Sequence, residues 1–292
     1  MRLRGPHSGS RRPGFRKESS TLQAPIMLIL EAGSLASMLV GGPRKTATLQ
    51  LWDIPAFAIE QLGLRGLSVP ASLLAGRSMK DLDRLRDAAD KAGCPCLVLR
   101  DEAYLAFGSS AADEADAAME RLGRLATAAS HLGCSSLAIA CQDRVGESEA
   151  FAAAVREGVK LVERRELNFL LTPGDGTLST ADSVIELIRA VGGFRIGCMP
   201  TFGHAMGTSD PEDTLRRLAP YASAMLGELD AVKVKRGEDA DAVVASWVRA
   251  VRAVGFASTL ALGARGRSPA KRIEAARTHL EQAMAAVEDD VE

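Results

Sequence analysis

Short apolar runs alternate with longer amphipathic stretches along most of this chain. Each run holds four to six residues, is bounded by turn-forming residues, and is followed by a stretch with helical periodicity. Runs this short are typical of strands that are buried on both faces, as in a parallel sheet. The predicted strands are Ala47–Trp52, Gly66–Val69, Cys96–Leu99, Ser136–Ala140, Asn168–Leu171, Arg195–Met199, Ala231–Val234 and Ser258–Leu262.

The stretches between the runs have the apolar spacing of helices that bury one face. In one of them Leu82, Leu85 and Ala89 fall on a single face, and Ser78 with Asp81 predicts a capping box at its start. Asp210-Pro211 predicts another helix start, with an N-cap followed by proline. Glycines that end a helix in the left-handed conformation are expected at Gly63, Gly93, Gly133, Gly193 and Gly255.

Eight strand–helix units in one series predict an α/β fold, a single-domain (β/α)8 TIM barrel. The competing fold is an open doubly wound sheet, which usually has a glycine-rich turn after its first strand. No such turn is evident in the sequence. We therefore expect a disordered basic tail at 1–26, a lead-in segment at 27–45 and the barrel at 46–287.

The basic N-terminal extension has too little apolar surface to fold. Arg11-Arg12 followed by the apolar run 26–30 resembles a twin-arginine export signal. The alternatives are a plain tail or a true start at Met27. No stretch is long and apolar enough to span a membrane, and we favour a cytoplasmic protein.

Charge and composition exclude some classes of partner. The formal net charge is −1 and aromatic residues make up 4%, so no general field or stacking surface for nucleic acid is expected. The five cysteines are odd in number, which favours buried reduced thiols over a disulfide framework.

Ligands of a TIM barrel meet the C-terminal ends of its strands, and two cationic segments lie where such ends are predicted. Lys233 and Lys235 alternate with valines, so both are predicted to face the barrel interior near an anion or several carboxylates. Arg265, Gly266 and Arg267 form a glycine-bearing turn into a helix, which predicts an anion-binding cradle. The alternative is that these cations are solvated loop residues.

Three further residues follow predicted strands. His204 comes after the sixth strand and is a candidate general acid or base. Thr201 precedes it, and Asp175 lies in a turn after the fifth strand. We expect Thr201 and Asp175 to bind substrate, although Asp175 also fits an ordinary turn residue.

Several segments together resemble the xylose isomerase-like barrels, a family that includes sugar-phosphate isomerases, epimerases and an abasic-site endonuclease. The most specific is 196–204, Ile-Gly-Cys-Met-Pro-Thr-Phe-Gly-His, after the sixth strand. Weaker likeness lies in 49–55 with 62–67, in 132–137 and in 176–180, and the resemblance covers about 46–285.

The resemblance implies a divalent metal held by two Glu, an Asp and a His at strand ends, where the two Glu also move the substrate proton. The matching positions here carry other residues: Leu171 or Thr172, Pro200 or Thr201, a position near Lys233, and Gly263. Apolar or cationic side chains do not supply the oxygen ligands of hard cations. We therefore predict no metal and no cofactor.

The leading hypothesis is a sugar phosphate isomerase/epimerase-like barrel that acts on, or binds, a small anionic carbohydrate without the family's metal. Lys233 or Lys235 would be a base or Schiff-base nucleophile, His204 a proton shuttle, and Arg265, Gly266 and Arg267 the anion site.

Three alternatives stay open. One is a catalytically inactive barrel that binds a metabolite or a protein. Another is an ordinary metal-dependent isomerase with a relocated site, which would use Asp101, Glu102, Asp143, Asp175 and His204. Abasic-site cleavage follows from kinship alone. We expect no nucleic-acid or membrane partner, and a homo-oligomer stays open.

Overall fold

The computed structural model describes residues 25–39, 48–109, 111–143 and 148–289, and the side chains of 142–143, 148 and 286–289 lie outside the description. The predicted tail and the export motif at Arg11-Arg12 fall almost entirely outside the described residues.

The described chain contains eight parallel strands that curl into a barrel with helices between them. Around the sheet the order is β6-β5-β4-β3-β2-β1-β8-β7. Parallel bridges Cys198↔Ala222 and Thr201↔Leu226 connect β6 and its C-terminal extension to the chain of β7, which closes the barrel. The strands are β1 Met27–Glu31, β2 Leu67–Pro70, β3 Cys96–Gly108, β4 Ser136–Asp143, β5 Asn168–Thr172, β6 Ile196–Cys198, β7 Ala224–Glu228 and β8 Thr259–Gly263.

The predicted first strand, Ala47–Trp52, is wrong. Leu51–Asp53 is a 3₁₀ turn, and Asp53 accepts a hydrogen bond from the Gln50 amide at 2.9 Å, which caps the start of this turn. The segment expected to lead into the barrel instead supplies β1, which pairs with β2 and β8. The apolar run at 26–30 was weighed as part of an export signal, but Ile29 and Leu30 are completely buried in the sheet.

The predicted seventh strand, Ala231–Val234, is also wrong. β7 lies upstream at Ala224–Glu228, and it pairs with β8 throughout its length. Ala224 and Leu226 point into the barrel core. This strand is apolar on both faces, as is typical of a parallel sheet, and therefore lacks an alternation of apolar and polar residues. The Val-Lys alternation that suggested a strand belongs to a loop with exposed lysines.

The predicted helix starts and ends are largely confirmed. Ser78 and Asp81 form the capping box, Asp210 caps the helix that begins at Pro211, and Gly93 and Gly133 have left-handed φ angles of 64° and 74°. The helices are α1 Ala36–Leu39, α2 Ile54–Leu62, α3 Met79–Ala92, α4 Ala112–Leu132, α5 Ser148–Glu163, α6 Ala181–Val191, α7 Phe202–Met206, α8 Pro211–Leu218, α9 Ala240–Ala253 and α10 Pro269–Asp289.

The barrel interior is a packed layer of small and medium side chains. It is formed by Ile29, Val98, Ala138, Leu170, Met199, Ala224, Leu226 and Ala261. A larger apolar cluster fills the space between the strands and the surrounding helices. All five cysteines are buried and free, as expected. None of the described helices has the length and apolarity needed to cross a membrane.

Candidate active site

A cavity of about 720 Å³ opens at the C-terminal ends of β1, β2, β3, β7 and β8. Inward side chains alternate along a strand, so the residue two positions beyond a core residue points into this opening. Ile29 is thus followed by Glu31, Val98 by Arg100 and Leu226 by Glu228. The charged residues that line the cavity are Glu31, Arg100, Glu102, Glu228, Asp230 and Arg265.

Glu31 is the most enclosed of these carboxylates. Its side chain is 7% exposed, and Oε1 accepts from Arg100 at 3.0 Å while Oε2 accepts from the Ser68 hydroxyl at 2.6 Å. Burial raises the pKa of Glu31 above its usual value, and this outweighs the opposing effect of the Arg100 charge. The carboxyl group is therefore set to hold a proton more readily than an ordinary glutamate.

Arg100 connects two carboxylates. Its guanidinium donates to Glu31 and, at 3.2 Å, to Glu102, while Nε is buried without a partner in the described structure. Burial lowers the pKa of Arg100, but the two carboxylates have the larger combined effect, so the pKa is raised. Glu102 also accepts from the Ser72 hydroxyl at 2.7 Å, and although burial acts in the opposite direction, these donors lower its pKa.

Gly263 separates two of the carboxylates. It ends β8, pairs in register with Glu228 on β7, and lies level with Glu31 on β1. A Cβ atom at position 263 would lie 3.3 Å from both Cβ and Cγ of Glu31. The two glutamates therefore stand on strands about 10 Å apart, with a gap without a side chain between them.

At the end of β8, where an anion-binding cradle is predicted, a carboxylate of the protein itself accepts hydrogen bonds from the turn and from the next helix. Asp230 accepts from the backbone amide of Arg265 and from the Arg272 guanidinium at the start of α10. Arg265 and Gly266 line the large cavity, whereas Arg267 is exposed and is not among its lining residues. Within the described residues the Arg265 side chain forms no ion pair, although its positive charge helps to lower the pKa of Glu102.

Lys233 and Lys235 do not face the barrel interior. Both are exposed in the loop after β7 and neither lines the large cavity. The Lys235 backbone amide donates to Glu238 at 3.0 Å within a turn. The prediction of inward lysines is therefore wrong, because it depended on a strand that the fold places elsewhere.

A second cavity of about 310 Å³ lies beside the first and brings together three of the predicted residues, Asp175, Thr201 and His204. Thr201 caps α7 by accepting from the His204 amide at 3.0 Å, and Asp175 is exposed in its turn. His204 Nε2 lies 2.9 Å from the Ser179 carbonyl oxygen, and its Nδ1 is buried without a partner in the described structure. Glu228 lines both cavities, and its Oε2 accepts from the Gly203 amide at 2.8 Å.

The model of one protein family, described as the xylose isomerase-like TIM barrel, matches residues 57–281. The chain belongs to this family. The expected fold and resemblance are thereby confirmed, although the match begins after β1.

Solved structures of xylose isomerase-like barrels share the fold at low sequence identity. L-ribulose 3-epimerase is 14% identical with a TM-score of 0.70, covering 90% of this chain and 97% of the other. The 3-keto-D-glucoside 4-epimerase of E. coli is 11% identical with a TM-score of 0.67, covering 88% and 99%. A barrel from Mycobacterium smegmatis, in complex with magnesium, is 12% identical with a TM-score of 0.63, covering 90% and 97%. No curated protein matches the chain in sequence.

The four strand ends at which the resemblance implies metal ligands do not fit a divalent cation in this xylose isomerase-like barrel. They carry Thr172, Thr201, Glu228 and Gly263, of which only Glu228 supplies a carboxylate. The seventh-strand position is Glu228 rather than a residue near Lys233, because β7 ends there. Among the described residues, no three acidic, histidine or cysteine side chains cluster in a way that would hold a metal.

The residues considered for a relocated metal site are also dispersed. Asp101 faces away from the cavity and forms a two-point pair with Arg121 at 2.7 and 2.8 Å. Glu102 is held by Arg100 and Ser72, and the side chain of Asp143 lies outside the described structure. Asp175 and His204 share the smaller cavity.

Sequence reasoning missed three central residues, Glu31, Arg100 and Glu228. Of the four acidic residues that line the large cavity, it named only Glu102. One available signal was a charged residue directly after an apolar run, as in Met27-Leu28-Ile29-Leu30-Glu31.

Proposed function

We propose that this xylose isomerase-like barrel acts on a small anionic carbohydrate, moving a proton between adjacent carbons without a divalent metal. The observation that carries the proposal is the placement of Glu31 and Glu228 on either side of the gap at Gly263, inside one large cavity. Isomerisation and epimerisation beside a carbonyl both need a group that removes a proton from carbon and a group that returns one.

The two glutamates support different roles. Glu31 has a pKa raised by burial, which favours the protonated state and suits the group that donates. One oxygen of Glu228 accepts a hydrogen bond from the Gly203 amide, and we assign Glu228 as the group that accepts the proton. His204 lines the neighbouring cavity, which has Glu228 in common with the main cavity. It is therefore placed to exchange protons with water or ligand bound in the neighbouring cavity.

Cationic groups support binding of an anionic end. Arg265 lines the cavity with a guanidinium that has no ion pair among the described residues, and Gly266 lies beside it. Arg100 is fixed by Glu31 and Glu102 and is placed to stabilise negative charge that develops on a substrate oxygen. The backbone amide of Arg265 already donates to Asp230, so we assign recognition of the anion to the Arg265 side chain.

The absence of a metal requirement is part of the proposal. It is supported by the donor set at the four strand ends, which offers Glu228 alone where the family motif implies four ligands. Deuterium exchange tests this directly. Purified protein would be incubated in D₂O with ribulose 5-phosphate, xylulose 5-phosphate, fructose 6-phosphate and the corresponding aldose phosphates, with EDTA or with Mn²⁺, and exchange beside the carbonyl read by NMR.

We expect exchange on at least one of these sugars in the presence of EDTA. We expect Glu228→Gln to slow it by at least ~100-fold, the usual scale of general acid–base catalysis. Lys233→Ala is the matched control and keeps the wild-type rate. Exchange that appears only with Mn²⁺ would show a metal-dependent enzyme and overturn the metal-free mechanism.

Binding without turnover is a second candidate. It is favoured by one observation: both oxygens of Glu31 already accept hydrogen bonds, from Arg100 and Ser68. Calorimetric binding of the same sugars with no deuterium exchange under either metal condition would support this candidate and remove the catalytic one.

The five buried free cysteines support a reducing compartment, and we propose that the protein is cytoplasmic.

A further inference from the structure

We propose that the ligand of this barrel consists of two linked units, with a second sugar unit held in the smaller cavity between Tyr104 and His204. This inference rests on the proposed function and specifies its substrate class. The carrying observation is that Glu228 lines both cavities, so one ligand in contact with this carboxylate can extend from the 720 Å³ space into the 310 Å³ space.

Tyr104 gives the smaller cavity an aromatic wall. β3 continues well beyond the barrel core to Gly108, and this extension carries Tyr104 over the opening with 46% of its surface exposed. The turn after β5 passes close to it, since a Cβ atom at Gly174 would lie 2.8 Å from the tyrosine hydroxyl. An exposed ring with a polar tip suits a sugar, whose C–H face packs on the ring while its hydroxyls hydrogen-bond at the edge.

His204 gives the same cavity an unused acceptor. Its Nε2 lies 2.9 Å from the Ser179 carbonyl oxygen, which only accepts, so Nε2 carries the proton and Nδ1 of the neutral ring has a free lone pair. Nδ1 is buried and has no partner among the described residues. A buried acceptor left without a donor is costly, and a ligand hydroxyl would satisfy it.

The remaining lining is polar and small, which suits a hydroxylated unit. Thr201, Thr208 and Ser179 line this cavity together with Asp175. The chemical class that fits both cavities is therefore a disaccharide or other glycoside whose first unit carries the anionic group toward Arg265 and whose second unit lies against Tyr104.

Paired probes test the inference: glucose 6-phosphate against trehalose 6-phosphate, and glucose against trehalose, maltose and cellobiose, each titrated into the full chain by calorimetry. Tyr104 and Tyr221 are the two tyrosines of the sequence. Protein labelled with 3-fluorotyrosine thus gives one ¹⁹F signal at the cavity and one reference signal from Tyr221. The Tyr221 hydroxyl accepts a hydrogen bond from Arg189, and the residue lines neither cavity.

We expect at least one two-unit sugar to bind about tenfold or more tightly than its one-unit counterpart, and to shift the Tyr104 signal but not that of Tyr221. Tyr104→Ala should reduce this preference to within twofold, Tyr104→Phe should retain most of it, and Tyr221→Phe is the matched control. If one-unit sugars bind equally well and the Tyr104 signal does not move, the two-unit ligand is overturned while the proposed function stands. If no sugar in either set binds, both are overturned.

Discussion

Gly263 lies directly against Glu31, and because Gly263 has no side chain there is space for the side chain of Glu31. An added Cβ atom would approach Cβ and Cγ of Glu31 to 3.3 Å. The glycine stands where the family resemblance implies a metal-binding glutamate. A longer side chain there would enter the gap between Glu31 and Glu228, so a glycine at this position keeps the cavity open.

Gly263→Ala should therefore narrow the cavity at its centre. We expect a loss of about 1 kcal/mol in the free energy of unfolding, the lower end of the overpacking range, and at least tenfold slower deuterium exchange. Gly123→Ala is the matched control, because Gly123 lies in the middle of α4 and an added Cβ atom there would meet only a methyl group of Leu161, at 4.0 Å. That variant should gain about 0.5–1 kcal/mol from helix propensity. Urea unfolding measures the stability of both variants. A larger loss in the free energy of unfolding for Gly123→Ala than for Gly263→Ala would contradict this account of the gap.

Arg100→Met should destabilise the protein strongly at neutral pH. It removes the guanidinium that donates to both Glu31 and Glu102 at a buried site, and breaking a buried pair from one side typically costs about 3–5 kcal/mol. Glu31→Gln should cost much less, because Glu102 still pairs with Arg100. The double variant Glu31→Gln/Arg100→Met should recover most of the loss in urea unfolding. Equal losses in the two single variants would be inconsistent with this pairing.

The pH dependence of stability should carry the signature of Glu31. Its folded pKa is raised above the ordinary value of 4.5, so its contribution to stability is fully present below that value and is lost as pH rises through the folded pKa. Wild type should therefore lose stability relative to Glu31→Gln as pH increases above about 4.5. Unfolding curves of both proteins between pH 4 and 8 provide the measurement, and a relative gain for wild type over this range would refute the burial effect.

Asp230→Ala should turn the occupied cradle into an anion site. The substitution frees the Arg265 amide and the Arg272 guanidinium, which now share the aspartate. We expect inorganic phosphate to bind at least about tenfold more tightly than to wild type, since a charge-assisted hydrogen bond contributes roughly 1.5–3 kcal/mol. Asp230→Asn keeps an acceptor for the amide and should show a smaller gain. Unchanged phosphate affinity in calorimetry would argue against a cradle at this turn.

Lys233→Ala and Lys235→Ala should have little effect. Both side chains are exposed and lie away from the cavities, so each free energy of unfolding should change by less than about 0.5 kcal/mol. Borohydride reduction with the sugar phosphates should leave both lysines unmodified by mass spectrometry. A sugar adduct on either lysine would restore the Schiff-base mechanism that the loop position disfavours.

The repeated strand–helix units, and with them the barrel, can be predicted from local sequence. Six of the eight predicted strands coincide with strands of the structure, and helix caps such as Ser78 and glycine ends such as Gly93 lie as predicted. These features depend on local periodicity and backbone preference, which a single sequence displays directly.

The charged residues that meet in the cavity could not be predicted in this way. Glu31, Arg100 and Glu228 come from β1, β3 and β7, and barrel closure brings them together around one cavity. When a strand lies at a different place in the chain from the one predicted, a different residue stands at its end. For this reason Glu228, and not Lys233, lies at the end of β7. Strand pairing is fixed by long-range packing of both faces, and local sequence does not specify it.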